Sequence, residues 1–224
     1  MAIINPEVDT IINEISDADI ERYNAYWKTI SPINDQQLFN RWVFAFLSVH
    51  TTWQANVFAY QQLTANPLPT EKEALVNLIA NTKVGLVKMR SNGIHKFRND
   101  FWTNVETWKK SEAETWTQFR NRTMEICNGI ALAKTSFALE LAYPLDCRVV
   151  CLDTHMLQLY KCDKKGSQVK QADYEAMEQH WLDRCNTRGV APTIARNIYW
   201  DKVQKKPDTR YWTHVFETTT QLQQ

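Results

Sequence analysis

The chain has 224 residues, 44 % of them apolar, and a formal net charge of +1. That length and apolar content exclude a disordered chain and allow one sizeable core or two small helical lobes. Only five glycines and seven prolines interrupt stretches rich in Ala, Leu, Gln, Glu and Lys, so the composition favours an all-α fold over an all-β one.

Ser16 to Ile30 opens with Ser16 and Asp19 in capping-box-like spacing and repeats Ile20, Tyr23, Trp27 and Ile30 at helical intervals. After the turn SPIND, residues 36–49 and 52–63 read as two aromatic-rich helices that are largely buried. ANPLPT breaks the chain, and a helix follows from Thr70 to about Asn81. Residues 86–110 continue as helix with an expected interruption at Asn92-Gly93, and 112–127 form another. Gly129 marks a turn, 133–143 a short helix and Pro144 its stop. RVVCL is an apolar run that fits a buried extended connection as well as a strand, and Asp153 is placed to cap a helix through Tyr160. The polar KCDKKGSQVK is a loop, followed by helices over 171–187 and from Pro192 to Gln204, the second started by its proline, and by a frayed polar tail, TTTQLQQ. About ten short helices result.

No run reaches the length of a membrane span, and the opening MAIINPEVDT lacks the basic-then-apolar layout of a secretion signal, so a cytoplasm-like compartment is expected. The five cysteines, Cys127, Cys147, Cys151, Cys162 and Cys185, make no C-x-x-C pair. Their gaps suit neither a zinc site nor an iron-sulfur cluster, which leaves buried reduced thiols, with no metal and no cofactor expected. Charge is unevenly spread: residues 1–40 are acidic, while 83–134 carry a basic excess fit for a polyanion or, equally, for a solvated helix surface of mixed charge.

Lys134 breaks this apolar patterning. It shares a helix face with Phe137, Ala138 and Leu141. Because burial disfavours a charged amine, a lysine on an apolar stripe is a candidate nucleophile toward an electrophilic carbon. The competing reading is an amine at a helix N-terminus reaching out to water. Asp153 follows nineteen residues later, and a capping carboxylate fixed in direction suits the work of stabilising a developing cation or taking a proton.

The order of these features resembles the helix-hairpin-helix DNA glycosylase superfamily, which contains endonuclease III and the 8-oxoguanine glycosylases. The carriers are a glycine turn, Lys134 heading a helix, a proline loop, an apolar run, and D-T-H at Asp153 to His155; upstream, FLSVHTTWQANVFAYQQL is similar to the family's L-S-x-Q-T-T helix, and MRSNGIHKFRNDFW fills its glycine-plus-basic segment. The resemblance covers about residues 40–160. It implies one unit over 1–224, with a central lobe of about 36–143 holding the hairpin near 127–134, and a second lobe of 1–35 plus 144–224. It also implies an active-site cleft between the lobes, and double-stranded DNA carrying a damaged or modified base as partner of a monomer associated with nucleoid or viral DNA.

By the same resemblance Lys134 attacks the sugar C1′ and forms a Schiff base, Asp153 assists, and a lysine there marks members that also cleave the strand. Gly129, Ile130, Ala131 and Ala133 grip phosphates, while His50 stands where many members place a glutamine near the opening left in the duplex. Trp53, His155 and Trp200 are assigned to the base pocket, with Trp181 and Trp212 as further available stacking surfaces, core packing being the competing reading for each tryptophan. The family hairpin reads G-V-G-x-K, whereas Ile130 and Leu132 occupy its glycine positions here, so the hairpin is either one residue longer or not the usual phosphate clamp. The lack of four closely spaced cysteines after Asp153 points to the cluster-free branch, and 8-oxoguanine is the first expected substrate. A DNA-base modifying transferase on the same base-flipping scaffold, or a catalytically silent DNA-binding module, are the alternatives.

Overall fold

The computed structural model describes residues 5–164, 168–206 and 208–217, and every regular element among them is helical. In chain order these are α1 (Pro6–Asn13), α2 (Asp17–Thr29), α3 (Asp35–Leu47), α4 (Trp53–Thr64), α5 (Lys72–Ala80), α6 (Val87–Thr103), α7 (Trp116–Ile126), α8 (Leu132–Ala142), α9 (Thr154–Leu159), α10 (Gln171–Arg188), α11 (Pro192–Val203) and α12 (Arg210–Thr213). Side-chain caps set half of the helix starts. Asn5, Ser16, Asn34, Thr52 and Asp153 each accept backbone N–H bonds at a helix head, and Thr115 with Gln118 forms a reciprocal capping box on α7. Gly189, at φ 75°, ends α10 in the left-handed region.

Helix α3 is the hub of one lobe, buried almost all round from Gln37 to Leu47 and packed against α4, α6 and α8, with α5 on α6 and α7 on α8. In the second lobe α1 lies on α10, α2 on α11 and α10 on α11, while α12 returns to α4. Phe39, Trp42, Phe46, Phe97, Phe101 and Trp108 form an aromatic cluster, with Phe97 and Trp108 edge to face at 4.7 Å. Burying each such ring contributes roughly 1.5–3 kcal/mol.

Four expectations are corrected. Helix α6 runs unbroken through Asn92-Gly93. Gly93 is a site of close approach: a Cβ there would lie 2.6 Å from the Asn128 carbonyl oxygen and 3.1 Å from the Phe46 ring. Helix α6 also ends at Thr103, well short of residue 110, because the 3-10 turn Val105–Trp108 brings Trp108 back under Trp42 and Phe97. Helices α1 and α12 were not anticipated; they span eight and four residues, too short for a periodic pattern. Finally, part of the basic excess of 83–134 is engaged by acidic partners within the protein. Arg120 is fully buried on Glu178, Arg122 pairs with Glu114, and Lys109 pairs with Asp35 and Glu106.

The run RVVCL is extended and held by side chains, not by a neighbouring strand. Glu178 accepts the Val150 N–H, Glu140 accepts the Cys151 N–H, and the Tyr174 hydroxyl accepts the Leu152 N–H while donating to the Val150 carbonyl. Buried backbone groups need such partners. The tail from residue 218 and the centre of the 161–170 loop lie outside the described residues. Among the described residues no helix is long and apolar enough to cross a membrane.

Candidate active site

An open cleft with a cavity of about 110 Å³ lies between the lobes, and Lys134 and Asp153 both line it. Its walls are aromatic, from Phe44, Phe137, Trp53, Trp200 and Trp212, and its polar lining comes from Ser48, Thr51, Asn56, Asn197 and Arg196. A concave, mostly apolar site with a few convergent polar groups suits a flat, heteroatom-rich ligand.

Lys134 is the third residue of α8, a helix whose start at Ala131 has no side-chain cap. A cation in the first turn opposes the helix macrodipole, so the lysine does not serve helix stability. Its amine sits 5.3 Å from the centroid of the Phe137 ring, and the Arg196 guanidinium carbon lies 5.5 Å from the same ring. The side chain is half-buried, with its head at the cleft.

Asp153 does two things with its two oxygens. Oδ1 accepts the backbone N–H groups of His155 and Met156 at 3.0 and 3.1 Å, which caps α9. Oδ2 lies 3.4 Å from Nη1 of Arg196. Arg196, on α11, is in turn gripped by Glu140 of α8, with Nε to Oε1 at 2.9 Å and Nη2 to Oε2 at 2.7 Å. Burial raises the Glu140 carboxyl to about 7, against the opposing pull of Arg196 and the Cys151 N–H. Burial also opposes the Arg196 charge, but Glu140, Cys151 and Asp153 hold its pKa above the ordinary arginine value. The sequence reading missed both residues. Their signal was the one that exposed Lys134: a charge inside an apolar pattern, FALELA for Glu140 and TIARNI for Arg196.

Of the aromatics assigned to the base pocket, Trp53 and Trp200 line the cleft. Tyr211, at the head of α12, braces both: it stacks on Trp200 at 5.8 Å and meets Trp53 edge-on at 5.0 Å. Trp212 lines the cleft too, while Trp181 is core, its indole N–H donated to the Pro192 carbonyl. His155 is corrected. It does not line the cleft, because two residues of helix turn it away from Asp153, and its Nε2 lies 3.0 Å from Gln204 Nε2.

His50 is exposed at φ 47° in the loop between α3 and α4, flanked by cleft residues Ser48 and Thr51. The buried Arg90 of α6 organises that loop by donating to the Val49 carbonyl and the Thr51 hydroxyl. The hairpin between α7 and α8 spans residues 127–131. Gly129 takes φ 95°, and Ala131 is exposed and Ala133 half-buried, but Ile130 faces the core at 7 % exposure, so any phosphate contact by Ile130 falls to its backbone. The hairpin packs closely on α6, where a Cβ on Gly93 would lie 2.6 Å from the Asn128 carbonyl oxygen. A Cβ on Gly129 would sit 3.7 Å from the Gly93 Cα.

No family model matches the chain, and no curated protein does. Solved structures do share its fold. The 8-oxoguanine DNA glycosylase of Thermotoga maritima superposes with a TM-score of 0.71 at 17 % identity, covering 91 % of this chain and 97 % of that one. The 8-oxoguanine DNA glycosylase of Methanocaldococcus jannaschii gives 0.73 at 16 % identity, covering 90 % and 94 %. The Methanocaldococcus jannaschii 8-oxoguanine glycosylase/lyase in complex with a 15mer DNA containing 8-oxoguanine gives 0.68 at 16 % identity, covering 90 % and 97 %. The chain therefore has the two-lobed helix-hairpin-helix fold of these enzymes.

Proposed function

We propose that the chain is a DNA base-excision glycosylase with AP-lyase activity, acting on a flipped damaged or modified base, 8-oxoguanine first. The observation that carries this reading is the meeting of Lys134 and Asp153 in one aromatic-walled cleft of a fold shared with 8-oxoguanine DNA glycosylases. The flipped base lies among Trp53, Trp200, Phe137 and Phe44, where stacking replaces what it loses in the duplex.

The Lys134 amine then attacks the sugar C1′ with its lone pair as the N-glycosidic bond breaks, and the base leaves with the bonding electrons and takes up a proton. Asp153 stabilises the positive charge that develops on the sugar and relays the proton lost by the amine. Ring opening gives the Schiff base, and β-elimination breaks the C3′–O bond of the strand. Gly129, Ala131 and Ala133, with the backbone of Ile130, face the phosphates, helped by the exposed Lys83 and Lys88 near the start of α6. His50 fills the gap left by the flipped nucleotide.

Quantifying free base released from duplexes carrying 8-oxoguanine, other oxidised purines, oxidised pyrimidines and unmodified guanine tests the reading. Release from the lesion duplexes but not from unmodified DNA is expected. Release from none would contradict it, and transfer of a group to an intact base would favour the transferase alternative.

A further inference from the structure

A chain of charge runs from Glu140, buried behind the cleft wall, through Arg196 to Asp153, which both line the cleft, and a simple core ion pair does not require this geometry. Glu140 is 0 % exposed and Arg196 4 %. Two charges buried so deeply cost several kcal/mol each to desolvate, and replacing such a pair by apolar side chains is often neutral or stabilising. Packing alone therefore gives no reason for it.

The fork supplies one. Glu140 accepts a hydrogen bond from Nε through Oε1 and pairs ionically with Nη2 through Oε2, which holds the guanidinium and leaves Nη1 as the edge turned toward Asp153 Oδ2. Glu140 Oε1 also accepts the Cys151 N–H, so the same carboxylate holds the extended segment that delivers Asp153 two residues later. At its far end the chain is rooted in α8, six residues after Lys134 on one rigid helix.

We infer that Glu140 and Arg196 are positioning residues that lock the Asp153 carboxylate in register with the Lys134 amine. This rests on the glycosylase reading of the cleft. With Oδ1 committed to the α9 cap and Oδ2 to Arg196, the carboxylate cannot rotate, and its distance from the helix bearing Lys134 is set through Glu140. Arg196 works here through geometry, so a lysine in its place, a point charge without the fork, does not substitute.

The molecule supplies its own control. Arg120 and Glu178 form a second buried pair, Nη1 to Oε2 at 2.6 Å, and Glu178 accepts the N–H of Val150 in the same extended segment, yet this pair reaches Glu175, Asn121 and Val150 rather than Asp153. A merely structural role for Glu140 predicts that Glu140→Gln and Glu178→Gln behave alike.

The test has two arms. In single-turnover excision of 8-oxoguanine under conditions where each variant is folded, Glu140→Gln and Arg196→Lys are expected to slow the reaction by about 10- to 100-fold, as a misplacement near 1 Å does. DNA affinity should stay within about twofold and Glu178→Gln should keep the wild-type rate. In the second arm, ¹³C NMR of the Asp153 side-chain carboxyl in free protein should show its resonance displaced in Glu140→Gln and Arg196→Lys but unchanged in Glu178→Gln. An Asp153 resonance unmoved by Glu140→Gln, or moved equally by Glu178→Gln, would overturn the inference. Absence of excision by the wild type would sink the glycosylase reading, and the NMR arm would still decide the positioning chain.

Discussion

At the scale of single residues, Asp153 caps α9 and, in the proposed mechanism, also takes part in the chemistry, and the two duties separate by substitution. Asparagine caps a helix about as well as aspartate, whereas alanine loses about 1 kcal/mol. Asp153→Asn should thus melt within a degree or two of the wild type, and Asp153→Ala measurably lower. Both should slow excision by about 100-fold, the usual share of a positioned acid–base group. Thermal unfolding alongside single-turnover kinetics checks this; an Asp153→Asn variant that is stable and fully active would remove the carboxylate from the chemistry. Asp201 offers a pH prediction. It accepts the Tyr23 hydroxyl at 2.8 Å, and burial raises its carboxyl to about 7. A folded pKa above the unfolded value means that the native state holds the proton more tightly, so Asp201's contribution to stability is complete below about pH 4 and lost as the pH rises toward 7. Asp201→Asn should flatten the fall in melting temperature between pH 5 and 8, and an unchanged pH profile would contradict this origin.

At the scale of elements, the contact between α6 and the hairpin is the least expected feature and the most exposed to test. Gly93→Ala gains roughly 1 kcal/mol of helix propensity. It also drives a Cβ to 2.6 Å from the Asn128 carbonyl oxygen, and such overpacking costs about 1–3 kcal/mol. The variant should melt lower and bind duplex DNA more weakly, because the hairpin must move; a stabilised variant with wild-type affinity would show that the hairpin position is immaterial to DNA. The same glycine marks a limit of sequence reading. A helix break and a close approach are written with the same letter, and only the neighbour 35 residues away distinguishes them. Caps are local, so Ser16, Thr52 and Asp153 were legible as helix starts. Lys134 was legible because its misfit is local as well. Glu140 and Arg196 carried the same kind of misfit, but their partnership spans 56 residues and became visible only with α8 and α11 side by side. His155 failed for the opposite reason: adjacency to Asp153 in sequence became, through helical rotation, a place outside the cleft.

At the scale of the whole molecule, the basic excess of the middle of the chain overstates the free positive charge available to the proposed DNA ligand, since Arg120, Arg122, Lys96 and Lys109 are engaged within the protein. On the proposed reading, binding depends on a small set of contacts about the hairpin. The logarithm of the binding constant should fall with the logarithm of salt concentration at a slope of about −3 to −5, from the release of one counterion per neutralised phosphate. A flat response would speak against DNA as ligand. The assembly of two lobes around Lys134 and Asp153 is most directly tested by borohydride trapping on duplexes containing 8-oxoguanine or an abasic site. The wild type should yield a covalent protein–DNA adduct that Lys134→Ala, folded and still DNA-binding, does not form; an adduct that persists in Lys134→Ala, or none from the wild type on any substrate, would contradict the Schiff-base mechanism.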